Sequence, residues 1–452
     1  TDRLKEITSR FVGVKDIVSL RVSSKLTLNR NNNTFYKHIC SHLSPPNQRN
    51  LTVTNKLLGQ AFRFFLDQNM GHTGQEIAQF IGNFAARLMF TKIVVQDSLN
   101  AYKVFETLNA RGVQLSTPDL LKNYVFSVID QNADVTDETL NDLDEQWSGI
   151  VSQLGTQNFT DFIRYHHNFQ KTLETKNQLF TSIKNQIITS EQGFNYLDSL
   201  SRFAPIYAAL LHPHDEWWGN QNPIYKDAIV YLEALHLFGI KQPLTILMAA
   251  FDQYEALEFV LLVKYLYVLS VRYNVIGHDS PNLQESIYNK LAIKVFTGQI
   301  KRASAVKNSD EYKKLYPVDD VFKAKFEVFR MPSRQYSKKI RFLLVQIETH
   351  LGNKIHYEQT SLEHICPYHP EDLWYESFGE GANDIQDRLG NMVLLSKDTL
   401  SRADFATKKI TYQSSGFELA NQVAQYEDWN IATLNNYQQW LASQAVQTWR
   451  VD

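Results

Sequence analysis

Between about residues 137 and 350, apolar side chains return at helical spacing in one segment after another, and nothing else in the chain narrows its architecture so far. The segments 138–154, 158–170, 191–211, 224–238, 243–251 and 255–273 each read as amphipathic helices, with apolar residues recurring three and four positions apart. Loops marked by proline or glycine separate several of them, as at His212-Pro213 and Gly239–Pro243. No repeat of fixed period is visible, so packed helices are predicted rather than a solenoid. A chain of 452 residues is too long for one ordinary core, and two or three domains are expected. The most apolar stretch, Phe259 to Val271, contains Lys264 and falls short of the roughly 20 residues that a bilayer requires. It reads as a buried core helix, and no membrane partner is expected.

The two ends differ from this middle. Residues 14–29 have alternating, β-branched character, and the polar run Asn29-Arg30-Asn31-Asn32-Asn33 reads as a turn after them. Helical patterning starts near Thr34 and recurs at 50–67 and 74–90. Ile93-Val94-Val95 reads as a short buried strand, and Leu99 to Leu108 as a helix. At Ser116-Thr117-Pro118-Asp119 a hydroxyl suited to capping precedes a proline suited to the first helical position and an acid suited to the positive helix end. After residue 350, short apolar runs at Leu362–Ile365 and Met392–Leu395 read as strands, and helices resume near Asp404. The predicted architecture is mainly α, in three parts: 1–135, a helical middle at 136–340, and a small domain at 341–452.

Composition limits the functional classes. Hydrophobic residues make up 43% and charged residues 21%, as in globular rather than disordered chains. A net charge of −2 argues against a nucleic-acid coat protein, yet a DNA enzyme needs only a local basic surface. Cys40 and Cys366 form neither a metal-spaced pair nor a disulfide framework, and the opening residues hold no apolar signal segment. A reducing, cytoplasmic setting is the expectation.

The chemistry-bearing stretch is Ser361-Leu362-Glu363-His364-Ile365-Cys366-Pro367, followed by Leu389-Gly390-Asn391-Met392-Val393-Leu394-Leu395. Hydrolysis of a phosphodiester needs a base to activate water, a charge to neutralise the leaving oxygen, and a rigid mount for the base. A neutral histidine on a strand is such a base, a neighbouring carboxylate reaches a metal, and an asparagine from the next strand ties the loop down. Taken alone, one Glu-His pair in a chain with 13 histidines reads more readily as structural. The surrounding words resemble the HNH nuclease domain of the GmrSD-type modification-dependent restriction endonucleases, through Glu363, His364, Pro367, Gly390, Asn391, Phe405, Lys408 and Lys409. The resemblance implies a ββα-metal domain in which His364 is the general base, Asn391 braces the hairpin and Glu363 is a catalytic residue and metal ligand. It implies Mg²⁺ or Mn²⁺ as cofactor, double-stranded DNA as partner, and Lys408 and Lys409 near the phosphate backbone. The family's asparagines between the second strand and its helix are replaced by Ser396–Asp404, where Asp398 or Asp404 is the substitute ligand.

A second resemblance lies in Phe105–Ser116 with Asp119-Leu120-Leu121-Lys122-Asn123, which is similar to the GmrS-like, ParB-related domain of the same family. There, Asn109, Arg111 and Gly112 fall in a loop before a helix start, a place suited to anions, and the resemblance implies nucleotide binding. Without the family, the same residues read as a helix-to-helix turn. The family's Asp-Gly-Gln-Gln-Arg motif is not found, so the chain is expected to begin inside that domain, with nucleoside triphosphate chemistry expected only when that segment is present. The expected function is metal-dependent cleavage of foreign or modified DNA. A catalytically inactive DNA-binding or nucleotide-responsive protein of the same fold is the alternative, and homo-oligomerisation is left open.

Overall fold

The computed structural model describes residues 2–15, 22–28, 30–46, 51, 53–68, 73–89, 116–132, 134–353, 355, 357–379, 381, 384–396 and 403–451. The chain is mainly α-helical. The helices of the middle fall close to their predicted places: Asp137–Leu154, Phe159–Asn168, Ser190–Leu211, Lys226–Phe238, Leu244–Gln253 and Ala256–Ser270. The run Ile93–Val95 and the helix from Leu99 lie outside the described residues.

Two compact units divide the chain, one from Thr1–Asp161 with Phe180–Ala204, the other from Phe162–Leu179 with Pro205–Asp452. These limits do not follow the predicted ones at 135 and 340. In the first unit, strands β1 (Gly13–Lys15) and β2 (Val22–Ser24) pair antiparallel. The polar run predicted as a turn is helical from Arg30 instead, in the helix Arg30–His42. Two of its asparagines are engaged there: Asn33 Oδ1 accepts from the Leu28 amide and Asn32 Oδ1 from the Thr54 hydroxyl. Helix Thr117–Ile129 opens on Ser116, whose Oγ accepts from the Asp119 amide with Pro118 in the first turn. Its far end packs so closely that a Cβ at Gly193 would lie 2.7 Å from Ile129 Cγ1, which explains the glycine.

In the second unit, the apolar segment predicted as a core helix is Ala256–Ser270, extended by a π-helical turn, Val271–Ile276. It is long and apolar enough to cross a membrane, but most of it is buried inside the fold. The turn carries Arg272, fully buried, whose guanidinium donates to Trp449 O (2.7 Å), Pro317 O (2.7 Å) and Asp319 Oδ1 (2.5 Å). Burying that charge is tolerable because its donors are matched and it lies over the rings of Tyr316 and Phe322. The clamp ties the middle of the chain to its C-terminal helix, Ile431–Thr448.

Strands β3 (Ser361–His364) and β4 (Met392–Leu395) form the second antiparallel pair, with Glu363 opposite Val393 and His364 opposite Met392. One hydrophobic core runs from Ala234 through Val271, Leu343 and β4 to Trp449. This continuity explains why no unit boundary falls at 340. Helix Ser333–His350 spans that position and buries Ile340, Leu343, Leu344 and Ile347 in the shared core.

Candidate active site

Side chains on a strand point alternately to its two faces, so neighbours on β3 meet different surroundings. Glu363 turns inward and is buried, whereas His364 is half-buried. Behind the strand lies helix Phe405–Ser414, opened by Asp404, whose Oδ1 accepts from the Thr407 amide at 2.8 Å. From this helix Lys408 reaches inward, its side chain fully buried. Its ammonium donates to Glu363 Oε1 at 2.7 Å and to His364 O at 2.6 Å. Burial pulls the Lys408 pKa down, and Glu363 opposes that shift.

His364 Nε2 lies 3.0 Å from Ser333 Oγ, at the start of helix Ser333–His350. The ring makes a further hydrogen bond to the Gln386 main chain. Because that bond raises the histidine's basicity, the acceptor is a carbonyl and the ring N–H faces it. The Ser333 hydroxyl then donates to Nε2, which retains its lone pair. Burial, with the Lys408 charge behind it, takes the imidazole pKa down to about 4 against the opposing pull of Asp387. His364 is therefore neutral throughout the neutral range. Asp387 also holds the surrounding frame, since Oδ1 accepts from the Ser333 amide at 3.1 Å and its carbonyl from the Met331 amide at 2.8 Å.

The loop after β3 is fastened by Asn391, fully buried in the turn before β4. Its Nδ2 donates to Cys366 O at 2.9 Å and its Oδ1 accepts from Cys366 N at 2.8 Å, while its carbonyl accepts from the Ile365 amide. One side chain thus satisfies both main-chain groups of a buried residue. Gly390 is fixed by close approach: a Cβ there would lie 2.7 Å from Gln438 Cβ and 3.1 Å from Leu434 O. Gln438 is itself a buried clasp, accepting from Arg388 Nε and the Gly390 amide and donating to Phe326 O and Phe329 O.

Of the predicted site residues, the structure brings Glu363, His364, Asn391 and Lys408 together. Lys408 differs from the expectation of a phosphate-facing lysine, because a fully buried ammonium already held by Glu363 has no surface to offer DNA. Lys409 donates to Tyr426 O at 2.8 Å. Asp404 caps a helix. Asp398, like Asn109, Arg111 and Gly112, lies outside the described residues. Among the described residues no three His, Cys, Asp or Glu side chains converge to hold a metal ion. With one Glu363 oxygen engaged by Lys408, the described residues alone do not fit a divalent ion.

Sequence reasoning missed Ser333, Asp387 and Arg334. Arg334 Nη2 lies 2.7 Å from His369 Nε2, and its guanidinium lies 3.9 Å from the centre of the Tyr368 ring, which stands perpendicular to the His364 ring. No local pattern signals a partner 31 positions away.

The model of the C-terminal domain of the GmrSD restriction endonucleases matches residues 316–444, which include His364, Asn391 and Lys408. That of the N-terminal domain of the same enzymes matches residues 7–126. A comparison with curated proteins gives no match. The two domain models occur in the family's own order and together take in more than half of the chain, which belongs to the GmrSD restriction endonuclease family.

Proposed function

We propose that this chain is an HNH-type endonuclease that hydrolyses phosphodiester bonds in foreign or modified double-stranded DNA, with His364 as general base. The observation that carries the reading is His364 itself: a neutral imidazole with a lone pair on Nε2, on a strand whose following loop Asn391 locks. Once the Ser333 hydroxyl turns off Nε2, that nitrogen takes a proton from water as the water oxygen bonds to phosphorus, and the bond from phosphorus to the leaving sugar oxygen breaks. That oxygen then takes a proton from solvent. Preorganisation is the protein's main contribution, since the tautomer and the mount of the base are set before substrate arrives. Ser333 and the Gln386 carbonyl fix its tautomer, and the Lys408–Glu363 pair holds the strand from behind.

Mg²⁺ or Mn²⁺ is part of the proposal, its protein ligands drawn in part from the segment that carries Asp398. No step above depends on it. The Lys408–Glu363 pair also favours a second reading, a binding-only member whose ligand set has been lost. The two part in one assay: plasmid and phage DNA, with unmodified or modified cytosine, incubated with the chain in Mg²⁺, Mn²⁺ or EDTA. Nicking that requires the divalent ion supports the nuclease. DNA binding without nicking under every condition selects the second reading.

A further inference from the structure

A cavity of about 290 Å³ lies next to the start of helix Ser333–His350, and none of the assigned residues uses it. Its lining includes Phe238, His278, Arg330, Met331, Tyr336 and Lys339. That volume sits just below the range of roughly 300–1,000 Å³ common for ligand clefts. Pro332 also lines it, and the next residue is Ser333, whose hydroxyl touches His364 Nε2. The wall of the cavity and the mount of the base are therefore one continuous piece of backbone.

Aromatic and cationic groups are interleaved there. The Lys339 ammonium lies 5.1 Å from the centre of the Tyr336 ring and 5.8 Å from that of Phe238. Helix Ser333–His350 carries Arg334, Lys338, Lys339 and Arg341 before its first acidic residue, Glu348, in a chain whose net charge is −2. Tyr336 interrupts the helix, with φ −122° and ψ 25°. His278 has φ 51°, and among the described residues only Leu43 shares a positive φ without being glycine. Such a conformation is concentrated at ligand clamps and active sites. Flat aromatic faces with cations over them suit a nucleobase and its phosphate, with stacking that tolerates any base.

We infer that this cavity receives one unstacked nucleotide of the DNA strand being cut, its base against Tyr336 and Phe238 and its phosphate toward Lys339. The inference rests on the nuclease reading. It gives the local basic surface that the overall charge does not supply, and it places that surface on the Ser333 side of His364 rather than at Lys408.

The test uses the full chain carrying His364→Ala, which binds without cutting, and fluorescence anisotropy with two duplexes, one fully paired and one with a single central mismatch. An unpaired base is easier to extrude, so the mismatched duplex should bind about tenfold more tightly. Tyr336→Ala and Lys339→Met should each erase that preference with the thermal midpoint unchanged, and Tyr336→Phe should keep it. Equal affinity for the two duplexes, or a preference that survives both variants, overturns the inference. So does displacement by dCMP or GTP with the efficiency of DNA, which makes the cavity a free-nucleotide site. If the wild type cuts DNA while the preference is missing, only the cavity assignment falls. If the chain neither cuts nor binds any duplex, the nuclease reading falls with it.

Discussion

At the scale of single residues, the site is a set of buried polar groups whose partners are fixed. Lys408 and Glu363 are the clearest case: two opposite charges, both out of water, 2.7 Å apart. Removing one partner of such a pair leaves a buried charge uncompensated, at a typical loss of about 3–5 kcal/mol. Lys408→Met should lose that much in urea unfolding, and Glu363→Gln added to it should recover part of the loss. His364 makes a second prediction, of pH dependence. Its pKa near 4 in the folded chain lies below the ordinary histidine value of about 6.5 in the unfolded chain. The unfolded state therefore takes up a proton first as pH falls. Stability associated with this group is complete above pH 6.5 and drains away toward pH 4, by on the order of 3 kcal/mol. The His364→Ala variant should show a smaller loss of unfolding free energy between pH 7 and pH 4.5 than the wild type, and equal losses would show that the imidazole is not protected as described.

At the scale of elements, the two strands and the helices behind them are held by contacts that forbid substitution for different reasons. Asn391 supplies both hydrogen bonds of Cys366, so Asn391→Ala leaves a buried N–H and C=O unpaired, at about 1–3 kcal/mol each. Loss of the thermal transition's cooperativity in residues 361–395, followed by amide exchange, is the expected result, and unchanged protection of the Ile365 and Cys366 amides would contradict it. The Gly390-Asn391 word was legible through the family resemblance, although its partners, Gln438 and Cys366, lie far along the chain, and the strand limits at Met392–Leu395 came out as read. The helices of the middle were legible for the same reason, since periodicity reports a buried face directly. Lys408 was misread because its neighbours on the helix, Thr407 and Lys409, look like a solvated face. Only the position of Glu363 on β3 turns the side chain inward.

At the scale of the whole molecule, the mainly α architecture was readable, whereas the location of the compact units was not. Their limits depend on which helices share a core, and the core that joins β4 to Val271 and Trp449 is built by residues far apart in the chain. For the same reason Ser333 and Asp387, which orient His364 from the preceding helix and the following loop, left no mark in the motif. The proposed catalytic role is nevertheless carried by one imidazole, and it is tested most directly by chemical rescue. DNA nicking would be measured for the wild type and for His364→Ala, with and without added imidazole, after checking that both chains unfold at the same temperature at pH 7.5. Nicking lost at least a hundredfold in the variant and partly restored by imidazole is the result expected of a general base. Nicking by the variant at the wild-type rate would show that His364 is not the base.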